Sequence, residues 1–244
     1  MVDIREPSEH RALRLLASAR CVLFDFDGPV CSLFAGRRPQ DITARLRDWA
    51  ASEGYAEVVR PTTAAFADAY TVFRELASRG VDPVVVAAVE RRLAREEFAA
   101  TATARPTPYA DALIRTLHDH GRRIAVATNN AEEPVMRYLR GRGLAEAFDG
   151  QVHGRRHDGR LLKPHPDCLR RALAATGTAP AETLMIGDSR GDRDAARALG
   201  IPFIGYATRP GKRTSLEGYG VPLVVDSLAP LLRAAAALAP LPRA

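Results

Sequence analysis

The chain reads as an α/β protein: a doubly wound, Rossmann-like parallel sheet with an inserted α-helical domain. Three observations predict this. Short apolar runs bounded by turn residues recur at 21–24, 124–127, 183–186, 202–206 and 223–225, the pattern of strands buried on both faces. From residue 106 onward these runs alternate with helical spacing, as parallel βαβ units require. Between 32 and 105 the alternation stops and only helical spacing remains.

Taken in order, residues 8–19 predict a short amphipathic helix capped by Ser8. The run CVLF at 21–24 then ends in Asp25, Asp27, Gly28 and Pro29, a strand stopped by two carboxylates and a turn. Helices are expected over 41–52, 62–78 and 83–100. Phe66, Ala69, Tyr70, Phe73, Leu76 and Ala77 mark the buried stripe of the second. Pro61 and Pro83 stand where helices begin, and Gly54 and Gly80 where they end. This gives a core of 1–31 and 106–244 and a helical unit of 32–105.

After 106 the expected order is helix 108–120, strand 124–127, helix 132–140, a short strand over 148–153 and a polar loop over 154–162. Helix 166–176, strand 183–186, helix 192–199 and strands 202–206 and 223–225 follow. Ser227 is expected to cap a terminal alanine-rich helix, with residues 239–244 frayed.

Length, charge and cysteine content exclude several classes. At 244 residues the chain suits one large domain or a core with a satellite. No apolar run approaches the ~20 residues of a membrane span, and residues 1–20 lack a signal-peptide core, so a cytoplasmic protein with no membrane partner is expected. Cys21, Cys31 and Cys168 are too few and too scattered for a disulfide framework or a cysteine zinc site. The formal charge of +6 comes from arginines interleaved with acids, so no nucleic-acid partner is expected. Only Lys163 and Lys212 are lysines. In such a chain Lys163, which falls among the chemistry-bearing stretches, marks a need for a compact point charge rather than a planar fork.

Four stretches carry chemistry-bearing residues. Asp25 and Asp27 share one strand end, where ligands bind in such folds. Two crowded carboxylates suit either a metal or a division into nucleophile and acid. The strand at 124–127 ends in Thr128, Asn129 and Asn130. Lys163 and Pro164 precede a helix, and TLMIGDSRGDRD carries Asp188 and Asp192. Acid pair, hydroxyl, lysine, acid pair is an inventory for handling phosphate with a divalent metal.

In this order the four stretches resemble the haloacid dehalogenase-like hydrolase superfamily, in particular its phosphoglycolate-phosphatase-like branch. DxDG, a strand-end Thr, KP before a helix and GDSxxDxxAA span residue 25 to about residue 200. The resemblance implies an Mg²⁺-dependent phosphatase acting on a small phosphorylated metabolite. It makes Asp25 the nucleophile that forms a phosphoaspartate and Asp27 the general acid and base. Thr128, the Asn129 amide, Gly28 and Lys163 would hold the phosphoryl group. Asp25, the Asp27 carbonyl, Asp188 and Asp192 would hold Mg²⁺, with Asp192 direct or through water, or else serving only as the acid at the next helix's N-terminus. Asn130 either joins the donors or caps the next helix. Asp194 serves the helix dipole, and His153, His157 and His165 are expected as solvated loop residues. Residues 32–105 become a cap inserted after the first motif.

Other chemistries of the superfamily compete. Asp27 argues against dehalogenation, and the absence of lysine from 32–105 argues against a Schiff-base phosphonatase. A β-phosphoglucomutase-like phosphotransferase keeps all four motifs and would need cap groups such as Arg37 and Arg38 to hold a second phosphate. A non-catalytic phosphometabolite-binding protein would need no nucleophile. Pro29 departs from the Thr common after DxDG and stiffens the loop towards the cap.

Overall fold

The computed structural model describes residues 8–60 and 68–242. Helix α1 (Ser8–Ser18) precedes β1 (Cys21–Phe24), and β2 (Cys31–Ser32) opens the insert. The insert contains α2 (Pro39–Ala50), α3 (Ala69–Ser78) and α4 (Pro83–Ala100), and β3 (Arg105–Pro106) closes it. Then come α5 (Ala110–Asp119), β4 (Arg123–Ala127), α6 (Glu132–Gly141), α7 (Ala145–Phe148) and β5 (Val152–His153). The chain continues through α8 (Asp167–Thr176), β6 (Thr183–Gly187), α9 (Arg190–Ala198) and β7 (Phe203–Tyr206). It ends with α10 (Pro210–Gly218), β8 (Val224–Val225) and α11 (Ala229–Ala236).

The sheet is parallel throughout, in the order β5-β4-β1-β6-β7-β8. Consecutive apolar residues alternate between its two faces, so neither face is polar. Val22, Phe24, Ile124, Val126, Leu184 and Ile186 pack against α1, α5 and α11. Cys21, Leu23, Ala125, Ala127 and Met185 pack against α8 and α9. Both faces are therefore covered, as unbroken apolar strands demand. No helix among the described residues is long and apolar enough to cross a membrane.

Strand β1 lies between β4 and β6, with Phe24 level with Val126 and Ile186. The chain winds one way from β1 to β4 and the other way from β6 outward. The carboxyl ends of β1, β4 and β6 thus meet at the switch point where open α/β sheets bind ligands.

The insert folds around its own apolar cluster, in which Ile42, Leu46, Val72, Phe73, Leu76, Val89 and Leu93 are buried. Asp82 caps α4 by accepting from the Val84 amide, and Pro83 takes the first helical position. At the neck, Cys31 pairs antiparallel with Pro106 and Ser32 with Arg105.

Several expectations are corrected. Helix α2 starts at Pro39 and runs into a wide turn, Ala51–Tyr55, where Gly54 has φ +91°. The expected helix at 62–67, with Pro61 and Phe66, lies outside the described residues, as do the Ser8 side chain and residues 243–244. Phe148 ends α7 instead of starting a strand, because its ring is wholly buried against the α1-side cluster. Helix α9 starts at Arg190, two residues early, because Ser189 and Asp192 form a reciprocal capping box. Leu228, not Ser227, is the N-cap of α11, though Ser227 Oγ still accepts from the Ala229 amide. Helix α10 was not expected, since it buries only Leu216 and lies between glycine- and proline-rich turns.

Candidate active site

The carboxyl end of β1 puts Asp25 where the sheet buries it, at 8% exposure, with its amide donating to the Ile186 carbonyl of β6. The following loop closes on itself. Cys31 donates to Phe26 O, Gly28 donates to Cys31 O, and the Thr107 hydroxyl donates to Gly28 O. This turn brings Asp27 Oδ1 to the Leu33 amide at 2.8 Å.

Gly28 is the position where glycine is required. Its φ is +133°, and a Cβ there would lie 2.4 Å from Asp188 Oδ2. Gly28→Ala is expected to lower kcat/KM at this site by at least about 100-fold, since backbone strain and the clash both displace Asp188. Steady-state kinetics of parent and variant check this.

Lys163 lies at the centre of the cluster and is nearly unexposed. Its ammonium donates to Asp25 Oδ1 at 2.8 Å, to the Ala127 carbonyl at 2.9 Å and to Asp192 Oδ1. All three of its protons are engaged. Burial alone would lower its pKa, but the carboxylates of Asp192 and Asp25 outweigh burial and hold it above the ordinary lysine value. The Lys163–Pro164 peptide is cis.

Asp192 is wholly buried. Its Oδ2 accepts from the amides of Asp188 and Ser189 and from the Ser189 hydroxyl, so it caps α9 and shapes the turn that carries Asp188. Burial would raise its pKa, but Lys163 and Ser189 hold it below the usual carboxylate range. Asp192 thus takes the helix-end role weighed for it from sequence, in the capping box of α9, and also pairs with Lys163.

Asp188 pairs with Lys212, the second of the two lysines, which reaches over from α10 to Asp188 Oδ2. One carboxylate oxygen from each of Asp25, Asp188 and Asp192 lies within 4.8 Å of the others. Burial and crowding raise the acids other than Asp192. Burial first, then Asp192, pushes Asp25 up against the pull of Lys163. Asp27 is pushed up to about 6 by burial, with Asp25 adding to it. Asp188 is pushed up to about 7 by burial despite Lys212. A hard-oxygen cluster in which Asp25 and Asp188 resist ionisation while Asp192 stays charged fits a divalent cation, which would restore the charged forms of the first two.

The strand-end residues of β4 form the opposite wall. Thr128 Oγ1 donates to Asn130 Oδ1 at 2.9 Å, and Asn129 Oδ1 accepts from the Lys163 amide at 2.8 Å. Asn130 does not cap α6, whose N-cap is Ala131. It points into the insert instead, donating to Tyr70 Oη at 2.8 Å and Glu97 Oε1 at 3.2 Å.

Sequence reasoning missed the network that joins insert to core. Arg155, buried in the polar loop after β5, donates to both Glu97 oxygens at 2.7 and 2.8 Å and to Glu90 Oε1 at 3.0 Å. It also donates to the Asn129 carbonyl at 3.1 Å. Arg74 of α3 donates to the Lys163 carbonyl at 2.9 Å. The available signal was the position of Glu90 and Glu97 on the buried stripe of α4, in register with Val86, Val89, Leu93 and Ala100. For Lys212 the available signal was its rarity alone, without the motif that also marked Lys163.

The remaining candidates sit apart from this cluster. Arg37 donates to Glu96 Oε2 at 2.9 Å on the insert. His157 is almost fully exposed, with Nδ1 3.4 Å from Glu90 Oε2. Asp194 is held by its neighbour Arg193.

Comparisons with known proteins bear on this arrangement. A family model for haloacid dehalogenase-like hydrolases matches residues 19–200. The phosphoglycolate phosphatase of Rhodospirillum rubrum is 31% identical over 202 residues, covering 78% of this chain and 82% of that protein. The pyrophosphatase PpaX of Halalkalibacterium halodurans is 35% identical over 98 residues, spanning 39% of this chain but only 45% of that protein's length. Among solved structures, CbbY from Rhodobacter sphaeroides in complex with phosphate superposes with a TM-score of 0.61 at 22% identity, covering 86% of this chain and 95% of that one.

Proposed function

The chain belongs to the haloacid dehalogenase-like hydrolase family. From that premise we propose that it is an Mg²⁺-dependent phosphatase that hydrolyses a small phosphorylated metabolite through a phosphoaspartate on Asp25. The observation that carries the reading is Lys163 bridging Asp25 and Asp192 at the sheet's switch point, with Asp188 opposite. A protein that only binds phosphate has no use for a buried carboxylate poised in this way.

The Asp25 carboxylate attacks phosphorus in line with the ester oxygen, forming the acyl phosphate as the ester P–O bond breaks. Asp27, two residues on, gives its proton to the leaving oxygen. Asp27 then takes a proton from water as that water attacks phosphorus, the bond to Asp25 breaks and inorganic phosphate leaves. Lys163, Thr128, the Asn129 amide and the loop at Gly28 hold the phosphoryl oxygens as charge spreads over them. Asp25, Asp188 and the Asp27 carbonyl are the proposed ligands of Mg²⁺, with Asp192 acting through water because its oxygens are already engaged. The cation supplies charge neutralisation between the carboxylates and the phosphoryl group.

Residues 32–105 are read as the cap, and 1–31 with 106–244 as the catalytic core. The insert buries Glu97 and Tyr70 beside Asn130, so this face of the cap borders the phosphoryl site. A phosphotransferase of the β-phosphoglucomutase kind would need a free basic pair on the cap, and Arg37 is bound to Glu96.

Asp27 sets the expected pH dependence. The leaving group needs its protonated form, so kcat/KM should fall as pH rises above about 6, the limb moving lower when bound Mg²⁺ favours the carboxylate. Asp27→Asn should remove that limb and slow both chemical steps by at least about 100-fold. A retained limb at a near-normal rate would take the acid–base role away from Asp27.

The functional test is phosphate release with Mg²⁺ across a panel of phosphate esters and pyrophosphate, including phosphoglycolate and hexose monophosphates, with sugar isomers quantified in parallel. Release that stops on adding EDTA supports the phosphatase. Isomerised sugar phosphate without free phosphate would replace it with a mutase.

A further inference from the structure

We infer that Lys212 is a resident counter-ion of the metal site, holding Asp188 until a divalent cation takes its place. This rests on the metal-dependent reading above. Lys212 is one of two lysines in a chain that otherwise uses arginine. It stands in the first turn of α10, where the helix dipole repels cations, and no acid in that turn offsets it. Its compensation comes from outside the helix. Its ammonium meets Asp188 Oδ2, the same oxygen that a Cβ at Gly28 would crowd.

The two ammonium groups of the site differ in how they are held. Lys163 is 3% exposed and its three protons are engaged by Asp25, Asp192 and the Ala127 carbonyl. The Lys212 side chain is 38% exposed, and its ammonium bonds only Asp188 among the described residues. Four carboxylates, Asp25, Asp27, Asp188 and Asp192, face these two positive charges. Lys212 thus balances Asp188 in the metal-free protein, and it is the cation with both room and solvent to withdraw. A divalent cation between Asp25 and Asp188 brings like charge against it, and Lys212 yields Asp188. Every such exchange weakens metal binding by the contact that must be given up.

Calorimetric titration of Mg²⁺ into the metal-free full chain, without substrate, tests this. Lys212→Met should bind Mg²⁺ about tenfold more tightly than the parent, since like charges a few ångströms apart repel by that much even at the dielectric constant of water. Without metal its melting temperature should fall, and saturating Mg²⁺ should restore it. A salt bridge with only a structural role would lower both melting temperatures equally. Lys212→Arg, which keeps the charge, should bind Mg²⁺ as the parent does. Lys212→Gln provides a second neutral variant should the methionine one fold poorly. Unchanged or weaker Mg²⁺ affinity in a folded neutral variant overturns the inference and leaves the phosphatase reading standing. No Mg²⁺ binding by the parent overturns both.

Discussion

Asp25→Asn is expected to abolish phosphate release, by at least about 10⁴-fold in kcat, while the protein remains folded. The amide cannot form the acyl phosphate, and no other carboxylate of the cluster can replace it. Asp192 is held by Lys163, Ser189 and the Asp188 amide, and Asp27 by the Leu33 amide. Stability should not suffer. Asp25 is buried and its pKa is raised by burial and Asp192, so a neutral isostere removes an unfavourable charge. Lys163 keeps Asp192 and the Ala127 carbonyl as partners. Circular dichroism and thermal melting check the fold, and substantial activity in the folded variant would sink the nucleophilic role.

Lys163→Met carries the largest expected effect on stability together with loss of activity. It leaves Asp25 and Asp192 buried and facing each other without a cation, and breaking a buried pair from one side costs about 3–5 kcal/mol. The sign with pH follows from the acids. At neutral pH the bare carboxylates repel and destabilise the folded state. As pH falls, Asp25, whose pKa is raised, takes up a proton first and the deficit shrinks. Chemical denaturation of metal-free parent and variant at about pH 7 and pH 5 measures this. An equal deficit at both values, or a loss below about 1 kcal/mol, would show that Lys163 does not hold the cluster together. Turnover should fall at least about 10³-fold, because the phosphoryl oxygens lose a fixed cation.

The parts of the site legible in the sequence are those set by local pattern and chain direction. In a parallel sheet, residues that end neighbouring strands converge, so Asp25, Thr128 and Asp188 come together once three apolar runs are recognised as strands. Lys163 was legible through its rarity. What could not be read depends on long-range docking. The spacing of α4 shows which residues are buried but not that Glu97 meets Arg155, 58 positions away. Asn130 is equally good as a helix cap or as a bridge, and only the position of Tyr70 decides between them. Asp192 carries the same sequence signature whether it caps α9 or pairs with Lys163, and it does both. Helix α10 escaped because it buries only Leu216 and so shows no apolar stripe, although it carries Lys212 to Asp188.

The measurement closest to the central claim is acid quenching of the enzyme during turnover of an active substrate with Mg²⁺, followed by borohydride reduction and peptide mass mapping. Asp25 is expected to carry the acyl phosphate and be recovered as homoserine, with Asp27→Asn used to slow the second step and build up the intermediate. Turnover with Asp25 unmodified in both proteins, or the phosphoryl group found on another residue, would contradict the mechanism.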